Sequence, residues 1–72
     1  MKLNIYSNQS NQIIFNTIIS NEILNEYDIN VNNENFTELF ETEILNDIFI
    51  EIEKSTYIFN INTSNTYYEL IK

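Results

Sequence analysis

The chain has no Cys, His, Gly, Pro, Ala, Arg or Trp. Each absence excludes something. Without Cys there are no disulfides, thiolate nucleophiles or thiolate metal sites. Without His, the commonest transition-metal ligand and the usual base of a nucleophilic triad are missing. Without Gly, no glycine-rich phosphate loop can form. Without Gly or Pro, turns fall to Asn and Ser. Asn enters the left-handed backbone region more readily than most residues and can stand in for Gly there. Gly, Ala, Pro and Arg have GC-rich codons, so the composition points to an AT-rich gene, of the kind found in low-GC bacteria and their phages.

What remains is 72 residues, 43% of them hydrophobic, with five Phe and five Tyr. That is one domain, in which roughly 60–65% of the unfolded surface can be buried. With no disulfide or metal staple, stability must come from a dense apolar core or from association. No run approaches the ~20 apolar residues of a membrane span. The opening Met1-Lys2-Leu3-Asn4-Ile5-Tyr6 lacks the apolar core of a signal peptide. The expectation is a cytoplasmic protein.

Polar clusters at Ser7–Gln12, Asp28–Asn35 and Asn62–Asn65 punctuate the chain. Leu3 and Ile5 alternate with Lys2, Asn4 and Tyr6, which predicts a strand over 2–6. Residues 12–19 are β-branched and aromatic and apolar on both faces, which predicts a central or interfacial strand. Ser20 is a candidate N-cap for a short helix over 21–27, with Glu22 in its first turn. Asn33 or Asn35 is the candidate cap of a longer helix over 35–46. Its apolar stripe is Phe36, Leu39, Phe40 and Ile44. Ile48, Ile50 and Ile52 then alternate with Phe49, Glu51 and Glu53. Tyr57, Phe59 and Ile61 alternate with Ile58 and Asn60, and Tyr68 and Leu70 with Tyr67, Glu69 and Ile71. These read as a three-stranded meander. The expected fold is α+β, in the order ββ(α)αβββ: a small antiparallel sheet of about five strands with one or two helices on one face.

Catalytic motifs are sparse. Lys54-Ser55 is a Ser–Lys pair in an expected turn. Glu34/Glu38, Glu43/Asp47 and Glu51/Glu53 are paired carboxylates that suit a solvated acidic face as well as acid–base chemistry. Asp28-Ile29-Asn30-Val31-Asn32-Asn33 matches the opening of a calcium loop. However, Asn33 replaces its turn glycine and Leu39 its bidentate Glu, so an Asn-rich turn explains it better. The sequons at Asn8, Asn35 and Asn62 read as chance in an Asn-rich chain. No enzyme and no cofactor is expected.

The charge is more telling. Eleven acids face three lysines, a net −8, and ten of the acids lie between Glu22 and Glu53. Such a chain is repelled by nucleic acid and drawn to basic surfaces. The cluster has two readings, a solubilising surface and a recognition face made of Glu34, Glu38, Glu41, Glu43, Asp47, Glu51 and Glu53. Phe49, Tyr57 and Tyr67 are either core residues or aromatic anchors of an interface.

In size, in the acid cluster Glu34–Glu53 and in composition, the chain resembles the small acidic phage-encoded inhibitors of the anti-CRISPR type. That resemblance implies a nucleic-acid mimic that blocks the basic channel of a CRISPR-Cas effector or other nuclease. The alternatives are a homodimer or other small structural module joined through the 12–19 strand, and an antitoxin or immunity protein for a basic toxin.

Overall fold

A computed structural model of the protein describes residues 1–54 and 65–72. The fold is α+β. The order is β1 (Lys2–Ser7), β2 (Ile13–Ile18), α1 (Asn21–Glu26), α2 (Phe36–Leu39), a π-helical segment (Phe40–Leu45), α3 (Asn46–Lys54) and β3 (Thr66–Ile71). By their contacts the described residues divide into two compact units, one holding 1–20 and 65–72, the other 21–54.

The first unit is an antiparallel sheet in the order β2-β1-β3. The hairpin joining β1 to β2 turns without glycine because Asn11 takes the left-handed conformation, φ 56°. Ser7 Oγ accepts the Gln9 and Ser10 amides, so the loop holds itself in shape. Alternation along the central strand puts Leu3 and Ile5 on a buried face. Lys2, Asn4 and Tyr6 share the other face with Tyr67, Glu69 and Ile71 of β3. Between Ile5 and Tyr6 the register with β2 slips, leaving Ile14 without an opposite residue. This is a β-bulge, which locally bends and twists the strand.

Asn4 is only 4% exposed. Its Nδ2 donates to Glu69 Oε1 at 3.2 Å, and the Tyr6 hydroxyl donates to the same oxygen at 2.9 Å. Among the described residues Asn4 Oδ1 has no hydrogen-bond partner, a cost of about 1–3 kcal/mol for a buried acceptor.

The second unit is helical. Helix α1 ends in a hydrogen-bonded stop. The Ile29 amide reaches the Leu24 carbonyl (2.9 Å) and the Asp28 amide the Asn25 carbonyl (3.0 Å). Asp28 sits at φ 57°, and Leu24 and Ile29 are both buried. This is the Schellman arrangement, whose left-handed position normally belongs to Gly. The Asn-rich turn expected after it is built from side-chain oxygens. Asn30 Oδ1 accepts the Asn32 amide, and Asn33 Oδ1 accepts the Asn35 amide. Asn35 occupies the N-cap position of α2 but makes no side-chain cap bond.

From Phe36 to Lys54 the helix is continuous, since the residues at both junctions, Phe40 and Asn46, are right-handed helical. The expected strand over 48–53 is therefore overturned: Ile48, Phe49, Ile50, Glu51, Ile52 and Glu53 all belong to α3. The alternation of Ile48, Ile50 and Ile52 concealed a second pattern. Phe36, Phe40, Ile44, Ile48 and Ile52 recur every four residues. At 3.6 residues per turn, four such steps drift about 160° around an α-helix. One extra residue taken up in a wide π turn removes about 100° of that drift. Phe36, Phe40, Ile44 and Ile52 are accordingly all buried, and so is Leu45. Phe36 and Phe40 stack with centroids 6.1 Å apart. Thr42, inside the π segment, donates its hydroxyl to the Glu38 carbonyl at 2.9 Å, a side-chain intrusion into the i→i−4 ladder that favours widening.

Among the described residues the sheet has three strands, not about five. The expected strand over 57–61, with Tyr57, Phe59 and Ile61, lies outside them.

Asp28→Gly tests the helix stop. Removing the left-handed penalty of an L-residue is worth about 1 kcal/mol, or roughly 4–8 °C in Tm for a domain of this size. Asp28→Asn, which removes only the charge, should reproduce little of the gain in a thermal melt. Equal melting temperatures for Asp28→Gly and wild type would contradict the assignment.

Candidate functional site

The acidic residues are set out by the continuous helix. Glu34 lies in the turn before it, Glu38 in α2, Glu41 and Glu43 in the π segment, and Asp47, Glu51 and Glu53 in α3. Glu34, Glu38, Glu41, Glu43, Asp47 and Glu51 are all exposed. Glu43, Asp47 and Glu51 follow at four-residue intervals. Positions four apart on a helix are surface neighbours, about 5–6 Å between Cβ atoms. Glu51 and Glu53, expected on one strand face, are both residues of helix α3.

Lys54 is the lone basic residue of the helical unit, which holds ten of the eleven acids. Its Nζ lies 3.7 Å from Glu51 Oε1, with both side chains largely in solvent. Exposed pairs of this kind contribute little. The sheet unit carries Glu69 against Lys2 and Lys72. The charge of the molecule is therefore sorted by unit, strongly negative on the helices and close to neutral on the sheet.

One contact in the acidic region has no sequence signature. The Tyr27 hydroxyl donates to Asp47 Oδ2 at 2.5 Å, tying the end of α1 to α3. That bond, with desolvation and the charges of Asp47, Glu26 and Glu43, pushes the Tyr27 phenol up to about 12. The two residues lie twenty positions apart, and no local pattern links them.

Of the aromatic candidates, Phe49 belongs to the helical unit and Tyr67 to the sheet unit. Phe49 is half-buried in α3. Tyr67 is 43% exposed on the sheet. There it stacks on Tyr6, with centroids 5.0 Å apart and planes 8° from parallel, and its hydroxyl donates to Asn11 Oδ1 at 3.0 Å. Tyr57 lies outside the described residues.

A small open cleft of about 310 Å³ lies beside the α1 stop, lined by Asn21, Leu24, Asn25, Asp28, Ile29 and Val31. Among the described residues, no three acids converge as a metal site would require. In the calcium-like stretch, Asn30 Oδ1 already serves the backbone of its own turn. No helix among the described residues is long and apolar enough to cross a membrane.

No protein-family model, curated protein or solved structure matches the chain.

The Tyr27–Asp47 bond predicts a pH dependence. The phenol's folded value lies above the ordinary value of 10, so the associated stability is intact below pH 10. It falls away as the pH rises from 10 toward about 12, where the unfolded chain ionises first. In an ultraviolet titration of the native protein, one tyrosine should ionise near 12, and Asp47→Asn should bring it back toward 10. Superimposable wild-type and Asp47→Asn curves would refute the bond.

Proposed function

We propose that this chain is a non-catalytic inhibitor that lays the acidic helix 36–54 against a basic, nucleic-acid-binding protein. The class of target is a CRISPR-Cas effector or a comparable nuclease, met in the cytoplasm of a bacterial host. The observation that carries this reading is the sorting of charge. Ten acids occupy one compact helical unit, and six of those assigned to the face are exposed along the helix or in the turn that leads into it. A surface acidic only for solubility gains nothing from such concentration, because interspersed charges serve that purpose equally well. A concentrated field of one sign steers a basic partner and competes with phosphate for it. Carboxylates repeated at one helical turn, about 5–6 Å, offer a groove built for phosphates a comparable series of anions.

On this reading Glu38, Glu41, Glu43, Asp47 and Glu51 bind by charge. Glu34 and Glu53 flank them, and Phe49 supports the helix from within. Tyr27 fixes the position of Asp47. Tyr67, on the other unit, is assigned no part in the acidic contact.

The experiment is a capture of nucleases from a nuclease-treated lysate of a low-GC bacterium with CRISPR systems, eluted with salt. A DNA-cleavage assay on the captured enzyme follows. The wild-type chain should inhibit cleavage, with affinity falling steeply as salt rises. Glu38→Lys, Glu41→Lys and Glu43→Lys combined should weaken inhibition at least tenfold while circular dichroism stays unchanged. Inhibition that ignores both salt and the triple reversal would sink the charge-mimic reading.

A further inference from the structure

We infer that the free edge of β2 is a docking site for a second copy of this chain. The two β2 strands would pair antiparallel about a twofold axis at Asn16. This goes beyond the inhibitor reading and does not rest on it.

The argument begins with the direction of the backbone groups. Ile19 and Met1 exchange both main-chain bonds, the Ile19 amide to the Met1 carbonyl (2.7 Å) and the Met1 amine to the Ile19 carbonyl (2.9 Å). Backbone groups along a strand alternate sides. Thr17 and Phe15 therefore direct theirs toward β1, opposite Leu3 and Ile5, and Asn16 and Ile18 direct theirs away from it. Among the described residues no strand lies on that side of β2. Asn16 is exposed, and Ile18 is 63% exposed.

Edge strands are usually protected by charge or proline. This one has neither, because no Asp, Glu, Lys or Arg occurs between Leu3 and Asn21. The bulge at Ile14 is the one protective device, and it lies toward one end of the strand.

The edge is also self-complementary. A twofold contact sets residue i against j and j against i. Centred on Asn16, it places Asn16 opposite its own copy. Each exposed Ile14 then meets the exposed Ile18 of the other chain, and Phe15 meets Thr17. The cross-strand pairs are apolar (Ile14 with Ile18), aromatic with β-branched (Phe15 with Thr17) or amide-to-amide (Asn16 with its copy), and none sets like charges opposite each other. Asn16, whose backbone faces the edge, forms the central hydrogen-bonded rung. The sheet would grow from three strands to six.

The occupant is a second copy because the edge is complementary to itself and no charged side chain of β2 opposes the pairing. The acidic units of two chains repel, whereas the nearly neutral sheet units do not. Their approach through β2 keeps the residues that meet free of like charges. The same sorting fixes the salt dependence. Screening the residual repulsion between the acidic units strengthens the dimer, opposite in sign to docking of the acidic helix on a basic protein. The two proposals can therefore fail separately.

The test is sedimentation equilibrium of the full chain, at low and high salt and up to millimolar protein. A monomer–dimer equilibrium that shifts at least severalfold toward dimer at high salt is expected. Ile18→Lys should return the chain to monomer with its circular dichroism and melting temperature kept. In case that variant unfolds, Asn16→Cys gives an independent reading. The chain has no cysteine of its own. The two Cα atoms of the central rung would lie about 5.5 Å apart, within disulfide range. Mild oxidation should give a covalent dimer with Asn16→Cys and none with Asn8→Cys in the hairpin loop. A monomer under all conditions, a dimer indifferent to Ile18→Lys, or equal cross-linking at positions 16 and 8 would overturn the proposal.

Discussion

A helix that winds at 3.6 residues per turn cannot keep a strict four-residue repeat on one face. The helical unit is organised around this conflict. Phe36, Phe40, Ile44 and Ile52 are buried together because the wide turn at Phe40–Leu45 cancels most of the drift between them. An unbroken α-helix would carry Ile52 toward solvent, and Phe40 at its centre would lose part of the cluster around it. The acids follow from the same solution. With the apolar residues gathered on one side, Glu41, Glu43, Asp47 and Glu51 are left on the exposed surface. Core and charged face are two sides of one adjustment in helical pitch.

The absence of glycine sets the second condition. Left-handed positions are needed in the hairpin and at the end of α1, and Asn11 and Asp28 fill them. Each carries a conformational penalty that Gly would avoid. With an orphaned acceptor on Asn4 as well, the chain holds several small local costs against a limited core. A domain of this size has little margin for such costs.

Much of this was legible in the chain, and the failures have identifiable causes. Alternation located β1 and β3, because a strand's period of two survives in even short segments, and the β-branched and aromatic run over 12–19 located β2. The Asn-rich clusters marked the hairpin and the turn after α1, since Asn is the remaining residue suited to φ > 0. The start of the long helix was visible in Phe36, Leu39, Phe40 and Ile44. Its continuation was not, because β-branched Ile48, Ile50 and Ile52 alternate with Phe49, Glu51 and Glu53 as a strand would. The deciding signal was the interval of four running back from Ile52 to Phe36, which fits neither ordinary period and belongs to a widened helix. The acid cluster was plain from composition, but its distribution along the helix depended on that misread segment. The Tyr27–Asp47 bond and the burial of Asn4 arise from tertiary placement, and nothing local announces them.

The wide turn also separates chain length from register. Between Phe36 and Ile52 the polypeptide contains one residue more than a plain α-helix with the same end orientations would hold. Ile44 and Leu45, adjacent in sequence at the end of that turn, are both buried. The segment thus stores a residue of slack. Loss of an exposed position such as Thr42 would let the turn close to α geometry with Phe36 and Ile52 still facing the same way, whereas an insertion elsewhere in the helix would rotate one flank against the other by about 100°. The protein can shorten at this point without changing what either end of the helix presents.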